Sequence, residues 1–271
     1  MIAAPALADG HASTMGYALA NDGATLVTMA SIASPGDAQT FDLKTPLSAI
    51  AYRPVTGDLL GFADGAVYTI DPASGALTDL SAAFADDATI SDGAMVAFDF
   101  NNQIDAVRAV SSSGENLVYF PEGFGDGDER ANSVLRFTDA FYAEGDANAG
   151  ATPMIFANAY TNAIAGSTAE STAQYALDAE TDALVTLANN AGTLETVGPI
   201  TVDGGEVDLS GMGGFDIVSP EEGTDMAYAI LQMEGDDMAG LYSVDLTSGA
   251  ATKLADLGMG GFTGFAVSMG M

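Results

Sequence analysis

The stretch VYTIDPASGALTDL at residues 67–80 returns as LYSVDLTSGAATKL at residues 241–254. Both copies read apolar-Tyr-x-apolar-Asp-x-x-Ser-Gly-Ala-x-Thr-x-Leu. Apolar side chains alternate with small or polar ones, a Ser-Gly pair interrupts, and alternation resumes. A period of two puts one face of an extended chain against a core, so each copy predicts two half-buried strands around a tight turn. A weaker copy, QYALDAETDALVTL at 174–187, carries Glu180-Thr181-Asp182 in place of the Ser-Gly turn.

Working outward, a second pattern recurs five times: AIAYRP at 49–54, VAFDFN at 96–101, IFANAYTN at 155–162, GGFDIVSP at 213–220 and GFTGFAVS at 261–268. One face of these strands carries Ile50 and Tyr52, Phe98 and Phe100, Asn158 and Tyr160, Phe215 and Ile217, Phe265 and Val267. The other face carries Ala51, Asp99, Ala159, Asp216 and Ala266. From Tyr52 to Val267 the pattern repeats at intervals of 48, 60, 57 and 50 residues. After it comes a further apolar strand: LLGFADG at 59–65, DAVRAVSSSG at 105–114, AIAGSTA at 163–169 and DMAYAIL at 225–231. The last copy has no such successor, but MGYALANDG at 15–23 is of this type. The start of the chain therefore completes the unit that its end leaves open. Units of four strands in about 50 residues are the signature of propeller blades. Closure by both termini removes the exposed edges that an open sheet would leave. The expectation is an all-β chain, a β-propeller of five four-stranded blades closed by the N-terminal strand. A β-sandwich or solenoid of the same strands is the alternative. Residues 168–178 have some helical propensity, but their repeat partners are strands.

Composition narrows the function. Asp and Glu number 38 against six Lys and Arg, a net charge of −32 over 271 residues. Such a surface repels phosphate backbones and anionic membranes, which argues against nucleic-acid binding and membrane adsorption. No apolar run approaches the ~20 residues of a membrane helix. Cysteine is absent, which excludes disulfides and thiolate chemistry. The opening MIAAPALADGHAS resembles the small-residue end of a secretory signal peptide cleaved after Ala8, although the charged and most of the apolar portion is missing. Residues 1–14 are read as a tail, residues 15–271 as one propeller domain, and the location as extracellular or periplasmic.

The central third resembles a known family. FDFNNQIDAVRAVSSSGENLVYFP at 98–121, AEGDANAGATPMIFANAYTN at 143–162 and LDAETDALVTLANNAGTLETVGPI at 177–200 are similar in content, order and spacing to the DUF4394 family of exported bacterial and archaeal proteins. The likeness extends over about residues 15–268, and GDANAGATP…AYTN is its most specific signature. The resemblance implies a propeller-like, exported protein and nothing about chemistry, since the family is uncharacterised. This chain departs from it at Ala51 and Ala159, where the family pattern implies Asp. Of that position only Asp99 and Asp216 keep the carboxylate.

The single histidine, His11, lies in the tail, so no Ser-His-Asp triad and no histidine metal site is available in the body. GMGGF at 211–215 and GMGGFTGF at 258–265 are glycine-rich, but their repeat position makes them tight beginnings of a strand rather than phosphate cradles. Asp99 and Asp216 occupy equivalent positions and form a carboxylate pair of the kind a glycosidase uses. The competing reading is that each accepts backbone hydrogen bonds. Gly125-Asp126-Gly127-Asp128-Glu129 alternates oxygen donors in a loop, so Asp126, Asp128 and Glu129 are the candidate metal ligands, with calcium as the cofactor. It lacks the ligand spacing and closing Glu of an EF-hand. Asp86, Asp87 and Asp92, and Glu234, Asp236 and Asp237, are further acidic groups. The functional expectation is a secreted, non-enzymatic propeller that binds a protein or glycan at the cell surface or joins a surface assembly. The alternatives are a carboxylate-based carbohydrate-active enzyme and a calcium-dependent structural protein of a surface layer or filament.

Overall fold

A computed structural model describes residue 11, residues 13–63 and residues 65–270. The cleavage expected after Ala8 lies outside them. Five antiparallel sheets stand around a common axis as the blades of a β-propeller. Blade 1 runs outward through Ala49–Tyr52, Leu59–Ala63, Ala66–Ile70 and Leu77–Asp79. Blade 2 uses Val96–Asn101, Ala106–Ser111, Asn116–Phe120 and Ser133–Arg136. Blade 3 uses Ile155–Tyr160, Gln174–Asp178, Ala183–Leu187 and Thr193–Pro199. Blade 4 uses Leu209–Glu221, Thr224–Met233, Gly240–Val244 and Ala250–Asp256. Blade 5 joins Gly264–Ser268 from the end of the chain to Met15–Ala20, Thr25–Met29 and Gln39–Asp42 from its start. The innermost strands pack in the order 1-2-3-4-5 and back to 1. Those of blades 1, 2, 3 and 5 are buried throughout, and that of blade 4 is buried from Gly213 to Ser219, which is why those stretches read as nearly continuous apolar runs.

The closure expected from the sequence is present. Met15 pairs with Ser268 and the register continues to Leu19 opposite Gly264. The hairpin repeat holds as well. In the two strong copies the third and fourth strands of blades 1 and 4 are joined by congruent turns. Gly75 and Gly249 donate to the carbonyls of Asp71 and Asp245, both at 2.8 Å. The side chains of those aspartates accept from Ala73 and Thr247. Both glycines have positive φ, +69° and +79°, a region that costs a side chain steric strain.

Two local expectations are corrected. The weaker copy at 174–187 forms the second and third strands of blade 3, not the third and fourth. A two-period hairpin carries no information about its distance from the axis. Residues 163–169, expected as a strand, form none. The segment crosses the end of the ring where the inner strands finish. Gly166 donates to the Pro54 carbonyl of blade 1, Ala169 to Asn102 of blade 2, and Ala163 and Ser219 of blade 4 bond reciprocally. Ladder bonds are thus replaced by bonds to three other blades. The tail is also not loose at its end. His11 Nδ1 lies 2.9 Å from the Tyr228 hydroxyl, and Ile32 donates to the Thr14 carbonyl.

Short segments ahead of blades 2, 3 and 4 lie parallel on their outer strands: Ala83–Phe84 on 133–134, Phe141–Tyr142 on 193–194, and Thr201–Val202 on 250–251. They cover edges that would otherwise present free backbone groups. No helix among the described residues is long and apolar enough to cross a membrane.

Candidate functional site: an axial pocket above a buried carboxylate pair

The inner strands run side by side, so successive residues form layers along the axis. The uppermost layer is an open pocket of about 400 Å³ at the end where those strands begin. It takes Leu47 and Ser48 from blade 1, Met95 from blade 2, Phe156 from blade 3, Gly211, Met212 and Gly213 from blade 4, and Phe262 and Thr263 from blade 5. Its wall is mainly apolar. Volume and character match small-molecule sites, which are concave, apolar and provided with few polar groups. Gly211 and Gly213 line it without side chains, and a Cβ on Gly211 would meet the Met95 methyl at 2.8 Å. Gly213 has φ +154°, and a Cβ there would sit 2.1 Å from the Ile230 carbonyl oxygen. The neighbouring Met212 remains 39% exposed, an unusual state for so apolar a residue.

One residue further along every strand the axis narrows to about 10 Å³, room for one water-sized atom. Ile50, Phe98, Asn158, Phe215 and Phe265 are equivalent residues along its border, and the side chains of Ile50, Phe98, Phe215 and Phe265 pack into the seams between blades. Four are apolar. Asn158 is 1% exposed, and neither its Oδ1 nor its Nδ2 has a hydrogen-bond partner.

The next layer holds the carboxylates. Asp99 accepts from the Tyr160 amide of blade 3 at 2.7 Å and from its own neighbour Phe100. Asp216 accepts from Val267 of blade 5 at 2.6 Å and from Ile217 at 2.7 Å. Each therefore bridges two blades by taking amides from inner edges that have no strand beside them. Two aspartates serve four of the five blades, which accounts for the chain's tolerance of Ala51 and Ala159. Burial raises the pKa of both. Asp216 is pushed up to about 7. Asp99 is raised well above the carboxylate range by burial first and by Asp216 second. Both groups are buried beneath the constriction and committed to backbone amides.

Beside Asp99 lies a polar network that sequence reading missed. Arg108, directly across the ladder from Asp99, is 3% exposed. Its guanidinium donates to Tyr160 Oη at 2.8 Å, Asn116 Oδ1 at 2.5 Å and Asn190 Oδ1 at 2.7 Å. Burial pushes the Tyr160 phenol up to about 12. The alternation of DAVRAVSSSG marked a strand, but not that its arginine would turn inward. The pocket residues were visible only as strand beginnings.

The candidate metal ligands are not gathered. Both oxygens of Asp128 accept from Arg130, at 2.9 and 2.7 Å, while Asp126 and Glu129 are exposed. Arg130 in turn stacks on Phe120 and Phe124. The hydrogen bonds from the Arg130 side chain lower the Asp128 carboxyl to about 2. Asp86, Asp87, Asp92, Glu234, Asp236 and Asp237 are exposed. Among the described residues no group of three or more acidic, His or Cys side chains is placed to hold a metal. The GDAN signature has a structural role. Asp146 accepts from Asn148 and from the amide and hydroxyl of Thr196, tying the loop before blade 3 to that blade's outer strand.

Known proteins add fold likeness. No curated protein matches the chain. Among solved structures it is similar to an auxiliary nutrient binding protein from Bacteroides ovatus, with 13% identity, TM-score 0.42, and coverage of 79% of this chain and 55% of that one. It is also similar to the hemopexin fold protein CP4 from cow pea, with 12% identity, TM-score 0.39 and coverage of 73% and 86%. A third is the Cps50 (Swd1) β-propeller domain of Myceliophteria thermophila, with 12% identity, TM-score 0.37 and coverage of 84% and 65%. The chain thus spans just over half the length of the first. The repeat pattern, the closed ring and the GDAN turn agree with the match of a family model to residues 25–266, and the chain belongs to the family described as domain of unknown function DUF4394.

Proposed function

We propose that this protein is an exported, non-enzymatic binding module whose axial pocket takes a small, uncharged, largely apolar molecule. The observation that carries the reading is the pocket itself, to which all five blades contribute and whose wall is Leu47, Met95, Phe156, Met212 and Phe262. Met side chains adapt to ligand shape, which suits such a wall. The charge of −32 disfavours anionic ligands. The hydrolase alternative draws no support from Asp99 and Asp216, because a general acid must reach its substrate and these are sealed below the constriction. Capture of a partner protein or glycan at the cell surface is compatible with the reading if the partner presents an apolar group to the pocket.

Toluene serves as the probe. In ligand-observed NMR titration it should bind saturably at millimolar concentration, and Met212→Glu should weaken it at least fivefold by placing a charge on the exposed rim. Absence of saturation, or binding unmoved by Met212→Glu, overturns the assignment.

A further inference from the structure

The axial pocket continues outward between blades 1 and 2. Two further spaces, of about 150 and 160 Å³, follow it there. The first shares Ser48, Gly93 and Ala94 with the axial pocket. The second shares Phe62 and Ile90 with the first. The strand order of blade 1 gives the direction. Ser48 precedes the inner strand, Phe62 lies in the second strand opposite Ala49, and Gly65 stands in the turn from the second strand to the third. The spaces thus step away from the axis along one seam.

The linker between the two blades forms the other wall. Among the described residues, every hydrogen bond that leaves residues 83–95 goes to blade 2. Ala83 and Ala85 donate to the carbonyls of Asn132 and Val134, and Arg136 donates to those of Asp87 and Thr89. Glu115 accepts from the amide and hydroxyl of Ser91, and Met95 and Ser112 bond reciprocally. None reaches blade 1, and the groove runs along that unbonded side. Its outer end is apolar apart from Thr89, with the Phe62 and Phe84 rings 6.3 Å apart. The middle space adds Ser48, Ser91 and Asp92. A peptide laid along this path would bring a donor and an acceptor at every residue and leave them unpaired at the apolar end. A carboxylate or phosphate would meet Asp92, with Asp86 and Asp87 exposed between the lining residues Ala85 and Ala88. A neutral hydrocarbon chain meets neither obstacle.

We infer that the ligand is a neutral, chain-like molecule: one end occupies the axial pocket and its aliphatic chain lies in the groove between blades 1 and 2. The inference rests on the axial pocket being a binding site, and it names the ligand class as an elongated, uncharged aliphatic molecule.

The test titrates toluene, 1-hexanol and 1-decanol into the full chain with isoleucine and methionine methyl groups observed by NMR. Toluene should shift Met95 and Met212 and leave Ile90 in place. 1-Decanol should shift all three. Each buried methylene is worth about fourfold in affinity, so 1-decanol should bind at least about tenfold more tightly than 1-hexanol. Ile90→Asp puts a charge where the two outer spaces meet, and it should weaken 1-decanol about tenfold while toluene binds as before. If 1-decanol shifts Met95 and Met212 but not Ile90, or binds Ile90→Asp as tightly as the wild type, the inference fails and the pocket stands. If 1-decanol shifts Ile90 alone, the groove is separate from the pocket and the inference fails. If no probe shifts Met95 or Met212, the pocket assignment and the inference fall together. Should Ile90→Asp lose toluene as well, the methyl shifts of the wild type decide.

Discussion

Blade 2 meets its two neighbours through faces of opposite character. Towards blade 1 it presents Val96, Phe98, Phe100 and Val107 to Ala49, Leu60, Phe62 and Val67, and the Phe62 and Phe98 rings lie 5.7 Å apart. Towards blade 3 it presents Ala97 and Val110 to Ile155 and Ala176 and, beside them, a polar group in which Asp99 and Arg108 bond Tyr160 and Arg108 bonds Asn116. Both faces come from one strand, VAFDFN, whose alternate residues point opposite ways. The apolar seam depends on volume alone and is forgiving in detail. The polar seam depends on the geometry of each donor and acceptor, because a buried group left without its partner costs its full desolvation. The two seams should therefore answer mutation differently.

The largest effect should come from emptying the apolar seam. Phe98→Ala should cost about 4 kcal/mol in equilibrium urea unfolding, through lost burial plus the cavity left behind. Next is the contrast between conservative changes. Phe98→Leu should cost about 1 kcal/mol, whereas Arg108→Lys should cost about 2 kcal/mol, because one ammonium cannot serve Tyr160, Asn116 and Asn190 from the place of the guanidinium fork. Equal costs for the two conservative variants would dissolve the distinction between the seams.

The hairpin turns supply a reference outside both seams. Gly75→Val and Gly249→Val should each lose more than about 1 kcal/mol because φ is positive at both. Gly249 should suffer more, since a Cβ there would meet the Pro199 carbonyl oxygen at 2.6 Å. A loss near zero at either would show that the turn does not need glycine.

Acid titration separates the carboxylate layer from the apolar seam. Folding raises the Asp216 pKa to about 7, so the native state holds a proton that the unfolded chain releases near its ordinary value of 3.8. The native state binds more protons between these values, so stability is lost as pH rises through about 7. The melting temperature should be several degrees higher at pH 5 than at pH 8. Phe98→Leu should keep that slope, Asp216→Asn should reduce it, and Asp99→Asn with Asp216→Asn should flatten it, since burial raises both carboxyls. An unchanged slope in the double variant would assign the dependence to surface charge instead.

Sodium chloride should leave the contrast between seams untouched while raising all melting temperatures. Repulsion among 32 net charges shortens its reach as the Debye length falls from about 30 Å at 0.01 M to about 3 Å at 1 M. Calcium at matched ionic strength tests the acidic loop. With Arg130 holding both Asp128 oxygens, no calcium-specific increment is expected there. An increment abolished by Asp126→Asn with Asp128→Asn would reinstate Asp126, Asp128 and Glu129 as ligands.

The sequence made legible whatever has a period. Strand alternation, the repeat of 67–80 at 241–254 and the unmatched strand at 15–23 together specify a closed ring, because each is a local pattern repeated at a distance. Position within a blade is not periodic, which is why the pattern of 174–187 does not show that it forms the second and third strands of its blade. Residues 163–169 look apolar enough for a strand, yet Ala163 and Ala169 are buried by other blades rather than by a ladder. Asn158 stood in plain view among Ile50, Phe98, Phe215 and Phe265, but only coordinates show its amide without a partner. Arg108 gave no signal, since burial of an arginine depends on acceptors up to 82 residues away in the chain.

The crossing segment at 163–173 changes how the ring comes apart. A propeller closed by one hydrogen-bonded seam opens at that clasp, as a bracelet does, and its blades then separate in turn. Here Gly166, Ala169 and Ala163 tie blade 3 to blades 1, 2 and 4 independently of the clasp in blade 5. Releasing Met15–Ala20 from Gly264–Ser268 leaves those four blades laced together as a cup. Unfolding accordingly divides into an early, local loosening of blade 5 and a later, cooperative loss of the cup, and amide exchange should report two protection levels on either side of that boundary.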